Sequence, residues 1–177
     1  MRLLSAVPDS VLWLMSSNRW APENLRKEAQ RLGVDAQRLI FAPRVAPAAH
    51  RGRLALADLV LDTLPYNAHT TASDALWSGV PVLTCPGETF ASRVAGSLLQ
   101  TMRLPELIAG SLEEYEQKAM QLGEQPERLA ALKAKVKECR QNSPLFDAAG
   151  FARHLEAAYR AMWDRHTRGE PPAAFSV

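Results

Sequence analysis

The chain has 177 residues, 47% apolar and 23% charged, and 21 basic side chains against 19 acidic ones leave a net charge of +2. That is the composition of an ordinary globular domain with enough apolar side chains for a core. The near balance of charge argues against a nucleic-acid or membrane surface, either of which needs a clustered basic patch. No uninterrupted apolar run can span a bilayer, and Met1 to Pro8 is too short, and too soon broken by Asp9, for a signal peptide.

Val11-Leu12-Trp13-Leu14-Met15 is a continuous apolar run bounded by turn residues, which predicts a strand buried on both faces. Pro22-Glu23 opens a helix to Leu32, ended by Gly33, with proline at the first turn and glycine past the end. Arg38 to Phe41 reads as a strand closed by Pro43, Pro47 to Leu56 as a helix weakened by Gly52, and Asp58 to Leu61 as a strand. Thr70 to Ser78 follows as a helix stopped by Gly79, Pro81 to Cys85 as a strand, and Glu88 to Leu99 as a helix. Strands alternating with helices predict an α/β fold, with a parallel sheet covered by helices on both faces.

After Thr101 the pattern changes. Leu104 to Ile108 is a short connection, and Ser111-Leu112-Glu113-Glu114 is a capping box leading a helix to about Leu122. A charged helix spans Pro126 to about Arg140, Ser143 to Asp147 is a break, and a last helix runs to about Arg168. Its Phe151, Leu155, Tyr159, Met162 and Trp163 recur at helical spacing, which predicts an apolar face packed on the domain. Gly169 to Val177 is rich in Pro and Ala and reads as a disordered tail. Cys85 and Cys139 have neither metal-ligand spacing nor the makings of a disulfide framework; Cys85, at the end of an apolar strand, is expected as a buried reduced thiol, and a reducing, cytoplasmic setting fits. The first strand begins within a dozen residues with nothing before it to close a sheet edge, so the chain reads as a piece of a longer protein or a truncated copy.

In a parallel sheet, ligands bind outside the carboxyl ends of the strands. The loops expected there are Ala42 to Ala49, Asp62 to His69 and Pro86 to Glu88. The second opens a helix at His69-Thr70-Thr71, where free backbone N–H groups and the helix dipole favour an anion. Two hydroxyls and an imidazole suit phosphate oxygens. Asp74, one turn inside, suits a sugar hydroxyl. Thr71-x-x-Asp74 also fits a helix cap, and His69 a capping loop histidine, so this motif alone leaves both readings open. His50 and Arg53, three apart on the preceding helix, share a face and can stack on a base or meet a phosphate; taken alone, a solvated basic turn with Arg51 beside them is the better explanation.

The series Val7 to Leu14, Arg38 to Pro43, His50-x-x-Arg53, Ala57 to Thr63 into Asn67 to Thr71, Pro86 to Ala95, and Ser143 to Phe146 closely resembles the carboxyl-terminal half of the catalytic region of the O-linked N-acetylglucosamine transferases, glycosyltransferase family 41, with their bacterial and SPINDLY-like members. The resemblance runs from about Leu4 to about Gly169. It implies the C-terminal half of a GT-B glycosyltransferase: an N-terminally incomplete Rossmann-like UDP-sugar domain at 1–110 with a doubly wound parallel sheet, packed helices at 111–168, and a flexible tail at 169–177. It implies further that His50 lies against the nucleotide, Arg53 contacts the uracil, His69, Thr70 and Thr71 hold the diphosphate, and Asp74 contacts the ribose. Pro47 stands where family members often carry a lysine, so one donor contact is missing from the pattern.

The function this implies is the donor-binding half of an inverting enzyme that moves a sugar, GlcNAc being the first choice, from a UDP-sugar to Ser or Thr of a protein. No metal or other cofactor is expected, since no Asp-x-Asp motif is present. The acceptor-activating residues and the tetratricopeptide repeats that recruit the protein acceptor are expected outside this chain, so the fragment alone is expected to be inactive. The alternative is a truncated, non-catalytic nucleotide-binding or interaction module. A sugar-nucleotide epimerase of GT-B fold ranks last, without support from the His69-Thr70-Thr71 series.

Overall fold

The computed structural model describes residues 1–177. A short helix that the sequence pattern did not announce, Arg2–Ala6 (α1), leads into the strand Leu12–Met15 (β1). The helix Ala21–Arg31 (α2) begins next to Pro22, as the proline signal requires, and Gly33 follows its end at φ +75°. The strand Leu39–Ala42 (β2) lies parallel to β1, Leu12 opposite Leu39 and Met15 opposite Ala42. The helix Pro47–Leu54 (α3) carries the chain to the strand Val60–Leu61 (β3); the helix Thr70–Trp77 (α4) then leads to the strand Val82–Leu83 (β4), parallel to β3. Helices Val94–Thr101 (α5), Leu112–Glu124 (α6), Pro126–Asn142 (α7) and Ala148–Thr167 (α8) complete the chain.

The alternation predicted from sequence is present, and every strand pair is parallel. The strands nonetheless form two separate pairs, β1–β2 and β3–β4, not one hydrogen-bonded sheet. Each pair has its own core. Leu4, Ala29, Val34 and Leu39 pack under the first. The larger core joins Ala72, Ala75 and Leu76 of α4 to Val82 of β4, Leu99 of α5, Leu122 of α6 and Val136 of α7. A parallel bridge from Thr84 to Ile108 adds one further strand position beside β4.

Three expectations are corrected. The first strand is not buried on both faces: Met15 is 61% exposed, because β1 has a neighbour on one side only. The helix expected from Glu88 is instead a 3₁₀ turn, Phe90–Ser92, capped reciprocally by Thr89 and Ser92, with α5 starting only at Val94. The apolar stripe of α8 does not pack on the domain: Phe151 is 69% and Trp163 64% exposed. The helix meets the rest of the chain chiefly at the Pro144–Phe146 turn. The tail beyond Gly169 has no helix or strand. No helix is long and apolar enough to cross a membrane. Cys85 is buried and Cys139 half-buried, and both thiols are free.

The far end of α4 is held from the C-terminal helices. Arg140 Nη1 donates to the carbonyl of Trp77 at 2.5 Å, and the Trp77 ring meets Phe146 edge-on, centroids 5.2 Å apart.

Candidate functional site

The chain leaves β3 at Leu61 and enters α4 at Thr70 through a loop braced from within. Asp62, buried at the strand end, accepts at Oδ1 from the backbone N–H of Thr63 (2.8 Å) and of Ala68 (2.6 Å). Its Oδ2 accepts from the Thr84 hydroxyl at 2.6 Å, a bond buried on both sides. The Asp62 carbonyl accepts from the Tyr115 hydroxyl of α6 at 2.9 Å. Burial first, then the nearby Asp62 charge, pushes the Tyr115 phenol up, so it stays protonated and donates. Higher in the loop, the Thr63 hydroxyl donates to Tyr66 O and the Asn67 amide nitrogen to Thr63 O. Asn67 is fully buried and its Oδ1 has no hydrogen-bond partner in the protein.

His69 is the N-cap residue of α4 by position, but no side chain caps the helix. The Thr71-x-x-Asp74 capping pattern is therefore not made, and the first-turn N–H groups are left open to a ligand. The imidazole of His69 turns elsewhere: Nε2 lies 3.2 Å from the carbonyl oxygen of Ala91. A carbonyl only accepts, so Nε2 carries the proton and Nδ1 is left over. Tyr66 stacks on the ring at 4.9 Å and Phe90 approaches it edge-on at 5.9 Å, which fixes its plane. Thr70 and Thr71 are exposed on the opening turn, and Asp74 is half-buried one turn further in.

His50 and Arg53 occupy one face of α3, as their spacing predicted. Arg53 is not a freely solvated charge: Nη1 donates to Pro43 O at 2.7 Å, Nη2 lies 3.4 Å from His50 Nδ1, and the guanidinium sits 5.8 Å from the centre of the Trp13 ring. Pro47 is the first residue of α3. Helices α3 and α4 are packed neighbours, tied by the Ser78 hydroxyl donating to Arg51 O at 3.2 Å. The structure thus brings His69, Thr70, Thr71 and Asp74 together on α4 and His50 with Arg53 on the adjacent helix; no hydrogen bond joins the two sets.

Sequence reasoning passed over Asp62, Thr84 and Tyr115. The signal for Asp62 was available: a carboxylate ending the apolar run Leu59-Val60-Leu61 sits where a side chain is buried, and a buried carboxylate needs donors.

The family model for glycosyl transferase family 41 matches residues 1–155. A probable UDP-N-acetylglucosamine–peptide N-acetylglucosaminyltransferase, SEC, of Arabidopsis thaliana is 40% identical over 176 residues, covering 99% of this chain and 18% of the relative. The UDP-N-acetylglucosamine–peptide N-acetylglucosaminyltransferase of Caenorhabditis elegans is 39% identical over 170 residues, covering 96% of this chain and 15% of the relative. A solved structure of a mutant O-GlcNAc transferase from Thermobaculum terrenum superposes with a TM-score of 0.81 at 33% identity, over 92% of this chain and 32% of that one. The chain therefore spans less than a fifth of the curated relatives and about a third of the solved one.

Proposed function

Because the chain belongs to glycosyl transferase family 41, we propose that it is the donor-binding portion of an inverting protein O-glycosyltransferase, one that moves a sugar from a UDP-sugar, with UDP-GlcNAc as the donor, to Ser or Thr of a protein. The observation that carries this reading is the uncapped first turn of α4, with His69, Thr70 and Thr71 around it. The open N–H groups of the first turn and the hydroxyls of Thr70 and Thr71 form a donor-rich edge for a diphosphate, with the fixed imidazole of His69 beside them. As the glycosidic bond breaks, negative charge grows on the departing diphosphate, and preoriented donors stabilise it there without reorganising. The reading calls for no metal or other cofactor.

Asp74 takes the ribose hydroxyls, since a carboxylate accepts from them and its place one turn in keeps its charge off the phosphates. His50 lies against the nucleotide and Arg53 contacts the uracil, where a forked guanidinium suits a carbonyl. The groups that engage and activate the protein acceptor, tetratricopeptide repeats included, act from outside these 177 residues. Two free cysteines fit a cytoplasmic setting.

Calorimetric titration of the purified chain with UDP tests the reading. Saturable binding, weakened by Thr71→Ala and by His50→Ala, supports it. A folded chain that takes up no UDP overturns it and favours a non-catalytic module.

A further inference from the structure

We propose, resting on the donor-site reading above, that Asp62 is the positioning residue of the diphosphate site: it sets the loop that delivers His69, Thr70 and Thr71. A side chain that touches no ligand can do this because it holds both ends of the loop. Its Oδ1 binds the N–H of Thr63, where the loop leaves β3, and the N–H of Ala68, where the loop reaches the N-cap of α4. One oxygen atom thus closes the 63–68 segment into a ring. Its Oδ2 anchors that ring to the Thr84 hydroxyl, just past β4. The Asp62 carbonyl is held from α6 by Tyr115. Loop, second strand pair and C-terminal helices meet at this one residue.

The loop's other edge is pinned at a single point as well. The carbonyl of Ala91 lies 2.9 Å from the Asn67 N–H and 3.2 Å from His69 Nε2. Ala68 N–H faces Asp62 while its neighbours on both sides face Ala91, so the carboxylate and the carbonyl hold the chain from opposite directions just before the helix begins. Losing the carboxylate releases one of the two holds and lets the orientation of the first turn drift. The residue type follows from the donors. Three N–H or O–H groups converge, and an acceptor-only group with two oxygens serves all three. Asparagine keeps one oxygen for the two N–H groups, and its NH₂ can meet a reversed Thr84 hydroxyl, so it replaces much of the function. Alanine leaves all three donors unpaired.

The test compares UDP with uridine, which lacks the phosphates, on the full chain and on Asp62→Ala, Asp62→Asn and Thr84→Val. We expect Asp62→Ala to bind UDP about tenfold more weakly while uridine affinity stays within about twofold, and Asp62→Asn to recover to within about threefold of the parent. Thr84→Val, of nearly the same shape, should fall between them. A purely structural defect lowers the melting temperature but leaves the UDP-to-uridine ratio alone, so an unchanged ratio in folded variants overturns the inference. If Asp62→Ala does not fold, Asp62→Asn and Thr84→Val decide it by the same ratio. A parent chain that binds no UDP overturns the donor-site reading and this inference with it. A parent that binds UDP with no dependence on Asp62 overturns this inference alone.

Discussion

Arg53 holds His50 in a defined state. Its Nη2 lies 3.4 Å from the Nδ1 of His50, and a guanidinium can only donate, so Nδ1 accepts and the proton of the neutral ring sits on Nε2. The same guanidinium donates to Pro43 O and lies over Trp13. Arg53→Lys puts a point charge on a flexible stem where a planar fork satisfies three neighbours at once. Affinity for UDP should fall about tenfold, roughly 1.4 kcal/mol, with the melting temperature little changed. Calorimetry beside a thermal melt checks both halves, and an unaltered affinity removes Arg53 from the donor site.

Thr71 is exposed on the first turn of α4. Thr71→Val keeps the branched shape and removes only the hydroxyl. Stability should change by less than about 0.5 kcal/mol, as for most surface substitutions, while UDP binding weakens severalfold. Urea unfolding and titration on the same preparation separate the two effects. Equal UDP affinity in both proteins removes the Thr71 hydroxyl from the anion site.

Gly79 follows α4 at φ +78°, and a Cβ at that position would lie 2.7 Å from Lys137 Cγ. The Lys137 side chain is exposed and can move aside, so the lasting penalty of Gly79→Ala is the left-handed backbone. A loss of about 1–2 kcal/mol is expected in urea unfolding. No loss would mean that the turn can adopt another backbone.

Leu76 is fully buried in the larger core, whereas Tyr159 is 60% exposed on α8. Leu76→Ala should cost about 3 kcal/mol and Tyr159→Ala less than about 0.5. A large loss at Tyr159 in the isolated chain, measured by the same urea series, would contradict the exposed placement of α8.

Cys85 is buried, and its thiol is pushed up first by burial and then by Glu114 and Glu113. Only the thiolate reacts, so at any pH below the raised pKa the folded chain offers less of it than a free thiol does. Iodoacetamide at pH 8 should label the half-buried Cys139 before Cys85, with Cys85 labelling rising as pH increases. Mass mapping of the alkylated peptides reads the order directly.

Local signals in the sequence were sufficient for most of the elements. Pro22 with Gly33 framed α2, and Ser111 does accept from Glu114 N–H at the start of α6. In that capping box Glu114 reaches Gly110 N–H, one residue earlier than the pattern implies. The spacing of His50 and Arg53 placed them on one face, and they are in contact. Features that depend on distant partners were not legible. An apolar run such as 11–15 marks a strand, but its burial depends on whether a second neighbour lies beside it. The stripe from Phe151 to Trp163 marks an amphipathic helix and carries no information on what covers it. The Asp62–Thr84 pair, 22 residues apart, exists only once β3 and β4 lie side by side.

Trp77 gives α4 its final property. With its carbonyl held by Arg140 and its ring against Phe146, and with Ala72, Ala75 and Leu76 fully buried, α4 is clamped along its inner face and at its far end. Its opening turn therefore has little motion to surrender when a ligand arrives. On the donor-site reading, the entropy lost on association falls mainly on the incoming molecule, so the open N–H groups and the hydroxyls of Thr70 and Thr71 convert more of their contact energy into affinity than the same groups on a loose loop would.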